Sequence, residues 1–67
     1  MKKHLTGGER MVMFLFARGH SVEDIGKMQG VPESRVLEIK KSFMTKLGAV
    51  SCVHALYLAV RQGLIEL

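Results

Sequence analysis

The stretch "SVEDIGKMQGVPESRVLEIK", Ser21–Lys40, decides how this chain folds. It opens with Ser21 three residues before Asp24, a spacing at which a serine hydroxyl can accept from a helix's first free amides. That predicts a short helix from Ser21 to about Gln29. Gly30-Val31-Pro32 then makes a tight turn, and proline is tolerated at the start of a helix because its missing N–H would be unpaired there anyway. A longer helix should continue to about Leu47 and stop at Gly48, with Lys46 near its negative end.

The same punctuation extends outward. "TGGE" has the spacing of a capping box, Thr6 bonding to the first turn with Glu9 three residues on. A first helix is expected from about Gly7 to Arg18, ending at Gly19. Ser51 can cap a fourth that ends near Gln62, with Gly63 behind it. Nothing alternates with period two for long enough to form a strand. The 67 residues, with no internal repeat or linker, read as one all-α domain spanning 1–67.

A chain this short buries only about 60% of its unfolded surface, which leaves a lone monomer marginal. Cys52 is the only cysteine, so no disulfide supports it, and an unpaired cysteine with no cleavable leader points to a reducing cytoplasm. His4, His20 and His54 are scattered without ligand spacing, and neither a metal nor another cofactor is expected. Partnership with a second subunit is the remaining usual support. The apolar runs Met11–Ala17 and Ala55–Val60 fall far below the roughly 20 residues that span a bilayer, so no membrane contact is expected. The net charge of +4 favours a polyanionic partner. No glycine-rich loop, serine–histidine pair or carboxylate pair supports catalysis, and an enzyme is not expected.

At 100° per residue the helix faces can be drawn. In the third helix Val36, Ile39, Phe43 and Leu47 form the core stripe, with the stem of Lys40 along it. Ser34, Leu37, Glu38, Lys41 and Thr45 lie opposite. In the first, Val12, Leu15 and Phe16 suffice for a core, leaving Phe14 outside between Arg10 and Arg18. With Met11 and Met13 it forms a candidate patch for a second subunit, a regulatory domain or RNA polymerase. In the fourth, Cys52, Val53, Leu56, Ala59 and Val60 are assigned to the core, and His54, Tyr57, Leu58 and Arg61 to the other side.

A short helix, a glycine turn and a longer helix form a helix-turn-helix motif, at about 21–40. Ile25 and the small Gly26 sit where the two helices must approach, Gly30 and Val31 form the turn, and Val36 and Ile39 pin the second helix. Gln29 stands where an apolar residue is usual, and Met28 is the candidate substitute. Beyond the motif, "LTGGERMVMFLFARGHSVEDIGKMQGVPESRVLEIKKSFMTKLGAVSCVHAL" resembles the LuxR/GerE-type DNA-binding domain without a gap from Leu5 to Leu56. "ARGHS", "EDIG", "KLGAVS" and the closing "RQGLI" suit that family, and "KKSFMTKLG" is similar to its Rcs-type regulators. Region four of bacterial sigma factors shares the motif but fits the chain after "KLG" less well.

The resemblance implies a four-helix domain of bacterial transcription regulation, its third helix in the major groove of double-stranded DNA and its fourth pairing two subunits. His54, Tyr57, Leu58 and Arg61 are then the expected homodimer interface, the alternative being that Tyr57 only covers the core edge. Arg35, Lys40, Lys41 and Lys46 flank the exposed face and suit phosphates. Ser34, Leu37, Glu38 and Lys41 are the base-facing candidates, since an aliphatic group can cover a thymine methyl and a glutamate can accept from cytosine. Glu38 can equally be an i,i+3 partner for Lys41. The chain departs from the family at Gly8 (arginine), Pro32 (serine), Arg35 (threonine), Leu37 (lysine), Ile39 (histidine) and Cys52 (arginine). Those departures leave a second function open: a helix-turn-helix scaffold reused for protein binding, as an antagonist or co-regulator of a LuxR-type factor.

Overall fold

Three of the four helices begin where a hydroxyl replaces the missing backbone acceptor, and α3 begins at a proline with no side-chain cap, as the computed structural model shows over residues 5–65. Thr6 starts α1 (Gly7–Ala17), Ser21 starts α2 (Val22–Gln29), Pro32 starts α3 (Glu33–Leu47) and Ser51 starts α4 (Cys52–Arg61). The Thr6 hydroxyl accepts from the Glu9 amide at 3.1 Å while the Glu9 carboxylate accepts from the Thr6 amide at 2.8 Å, a complete capping box. Ser21 accepts from Asp24 N–H and Ser51 from His54 N–H, each satisfying one orphan donor. Gly30 and Gly48 close α2 and α3 in the left-handed conformation, at φ 69° and 66°.

The central element is α3, which packs against α1, α2 and α4, whereas α2 and α4 do not meet. Ile25, Val36 and Phe43 are fully buried at its contacts, with Val12, Leu15 and Leu47 around them. Helix α2 and the start of α3 approach closely at Gly26. A Cβ on Gly26 would lie 2.9 Å from the Val31 carbonyl oxygen, and the Val31 amide donates to the Gly26 carbonyl at 2.9 Å. Only glycine permits that distance, and it fixes the angle at which α3 leaves the turn.

The facial assignments of Met13, Val53, Leu58 and Val60 are corrected. Met13, expected on the outer patch of α1, is 1% exposed and lies in the core, while Phe16 is only partly buried beneath Lys40. On α4 the buried residues are Ala55 and Ala59, and Leu58 packs against the core with Cys52 and Leu56. Val53 and Val60, assigned to that core, are exposed by 78% and 41%. Small alanines let α4 lie close to its neighbours, which turns the β-branched side outward. Met28, the candidate replacement for Gln29, is exposed as well. Among the described residues no single helix is long and apolar enough to cross a membrane.

Candidate functional site: the outer face of α3

Because Val36, Phe43 and Leu47 are held inward and Ile39 packs beside them, the opposite side of α3 is left bare. Ser34, Leu37, Glu38, Lys41 and Thr45 are all exposed there, Leu37 by 49%. Their spacing places them along one stripe, which at ~1.5 Å per residue extends about 16 Å. Leu37 sits at its middle with charged neighbours on either side. The Arg35 guanidinium lies 3.9 Å from the Glu38 carboxylate, so the i,i+3 partner of Glu38 is Arg35, not the expected Lys41. Both members are well exposed, and such a pair contributes little and can exchange partners.

Besides Arg35 with its exposed Glu38 pair, two more of the four expected phosphate-contacting cations have an intramolecular role. Lys40 is half-buried, its ammonium 5.7 Å from the centre of the Phe16 ring, which ties α3 to α1 by a cation–π contact. Lys46 donates to Glu9 at 2.7 Å, and Ser42 donates to the other carboxylate oxygen at 2.6 Å. Glu9 is almost completely buried. Burial alone would raise its pKa, but the bonds from Lys46, Ser42 and the Thr6 amide outweigh this and hold it down at about 2. A residue that reads in the sequence as a local cap is therefore also the bolt between α1 and α3. Its partners lie 33 and 37 positions away, beyond any local spacing signal.

The expected dimer residues do not share one surface. Tyr57 and Arg61 are exposed and linked, the guanidinium donating to the phenol oxygen at 2.9 Å. Leu58 belongs with the core, and the His54 ring accepts from the Val50 amide at 3.1 Å, bracing the start of α4. The outward apolar face of α4 is instead Val53, Tyr57 and Val60, which with Arg61 and the edge of the half-buried Leu56 line a shallow groove. The signal that finds it is the pair Ala55/Ala59: the smallest apolar residues four apart mark the side of closest helix approach.

Among the described residues no three His, Cys, Asp or Glu side chains converge as a metal site would require; His4 lies outside those residues. The fold and its bare α3 stripe define a compact, all-α, four-helix domain. No protein-family model matches the chain, and no curated protein or solved structure matches it either.

Proposed function

We propose that the protein is a DNA-binding regulator of transcription that lays α3 in the major groove and acts as a homodimer, in the manner of the LuxR/GerE-type domains its sequence resembles. The observation that carries this reading is the Gly26–Val31 approach, because it locks α3 against α2 with Ser34, Leu37, Glu38 and Lys41 outermost. A helix with one long face clear of its own domain is what a groove about 12 Å wide admits.

Within this reading Arg35 and Lys41 carry the phosphate contacts, with Lys40 at the flank. Lys46 serves the Glu9 bolt first, and contributes to DNA only through the field of its charge. Leu37 suits a thymine methyl, and Glu38 accepts from cytosine N4 once Arg35 turns to a phosphate. The domain measures 32 × 20 × 20 Å. Two copies therefore fit on half-sites about 34 Å apart, paired through Val53, Tyr57 and Val60 of α4.

A second reading has its own observation. Glu33 and Glu38 balance Arg35 and Lys41 along the stripe, and a half-exposed Leu37 sits between them. A surface of that kind suits a protein partner, as in an antagonist or co-regulator of a LuxR-type factor. Fluorescence anisotropy with random-sequence duplex DNA separates the two. DNA binding should weaken steeply with salt, and Arg35→Ala and Lys41→Ala should each reduce the log–log salt slope by about 1. No binding at low salt by folded protein refutes the DNA reading.

A further inference from the structure

The outward side of α1 and the chain after α4 enclose a groove of about 440 Å³ that α3 does not reach. Met11 and Phe14 supply apolar surface from α1, and Leu64 and Ile65 supply it from beyond α4. Gly7 and Gly63 line it without side chains, so the space is open to a ligand's side chains. Gly7, Arg10, Met11, Phe14 and Arg18 follow helical spacing along one face. The Arg18 guanidinium is held 5.5 Å from the centre of the Phe14 ring, a cation fixed at the edge of the apolar surface.

Among the described residues, the charged side chains that line or flank this groove are the arginines Arg10 and Arg18. Of the described carboxylates, Glu9 is turned inward to Ser42 and Lys46, and Glu23 pairs with Lys27. Asp24 lies in the first turn of α2, and Glu33 and Glu38 are on α3. None lines the groove. Neither Arg10 nor Arg18 has an ion pair among the described residues.

We propose that this groove binds an acidic amphipathic helix of a partner protein. Its apolar side chains would pack on Met11, Phe14 and Leu64, and its carboxylates would meet Arg10 and Arg18. An 11-residue α1 offers a bed about 16 Å long, room for two or three turns of a docked helix with anchors at i, i+3 or i+4, and i+7. Arg10 and Arg18, which make no ion pair among the described residues, select against a basic occupant and favour carboxylates. They also disfavour a second copy of this chain, because a two-fold pairing of this face would bring the arginines of both copies together. The groove shares no residue with the α3 stripe, so this inference stands or falls apart from DNA binding.

The test is fluorescence anisotropy with a labelled synthetic peptide of roughly 15 residues, about 22 Å as a helix, with leucine on one face and glutamate elsewhere. A version with lysine for glutamate, and a scrambled version without the apolar face, are measured beside it. Two variants probe the groove: Gly7→Trp, which fills it where a Cβ meets nothing within 4 Å, and the charge-reversed pair Arg10→Glu/Arg18→Glu. Wild type should favour the acidic peptide over both controls by about tenfold or more. Gly7→Trp should abolish that preference with the helical CD spectrum intact, and the charge reversal should transfer it to the lysine peptide. Equal binding of all three peptides overturns the proposal. So does acidic-peptide binding that survives both variants, or a self-association of the chain that Gly7→Trp dissolves.

Discussion

Replacing Glu9 by glutamine should remove most of the acid sensitivity of this fold. The folded-state pKa lies at about 2 against an ordinary 4.5. At ~1.4 kcal/mol per pH unit, folding favours the ionised form by about 3 kcal/mol. The sign follows from the direction: a depressed carboxylate stabilises fully above its unfolded value, and the contribution is lost as pH falls from about 5 towards 2. For a domain of this size, whose total stability is roughly 0.05–0.15 kcal/mol per residue, that is a large share. Urea denaturation followed by far-UV CD, at steps from about pH 7 down to about pH 3, measures it. At neutral pH Glu9→Gln should be less stable by about 2–3 kcal/mol, because glutamine keeps the volume but loses the charge-assisted bonds. Towards pH 3 the two proteins should converge. Other carboxylates titrate in both proteins, so the difference between them isolates Glu9. Curves that stay parallel across this range would refute the bolt between α1 and α3.

Further consequences concern packing and pairing. Gly26→Ala should lower stability by roughly 1–3 kcal/mol, since the Val31 carbonyl must move to admit the methyl; a thermal melt reports it. Phe43→Ala should cost roughly 3–5 kcal/mol in the same assay, as the ring is fully buried. Val53→Glu and Val60→Glu should leave the fold within about 0.5 kcal/mol yet abolish any dimer seen by sedimentation. Leu58→Glu should instead lower the melting temperature whether or not a dimer exists, because Leu58 packs against the core.

Helix starts and stops were legible because they rest on local chemistry. Thr6, Ser21, Gly30, Ser51 and Gly48 act within a few residues of themselves, and each does in the structure what its position predicts. The core stripe of α3 was legible for a related reason, since polar residues on the far side leave one way to draw it. In α1 and α4 apolar residues surround the axis, and periodicity admits more than one inward face. Met13 and the Ala55/Ala59 pair settle those faces through packing with other helices, which no single-helix pattern contains. On the candidate site, Ser34, Leu37, Glu38 and Lys41 were placed on the exposed side from spacing alone. The engagement of Lys46 with Glu9 and of Lys40 with Phe16 depends on how α1 crosses α3, so those lysines read as plain surface charges until the fold is known.

Whether the outer stripe of α3 meets DNA is tested residue by residue by amide NMR spectra recorded during titration with a duplex at low salt. The largest shifts should fall on Ser34, Arg35, Leu37, Glu38 and Lys41, with the α1 groove unaffected. Shifts centred on α1 or α4 with a silent α3, or an unchanged spectrum at saturating duplex, would contradict that contact.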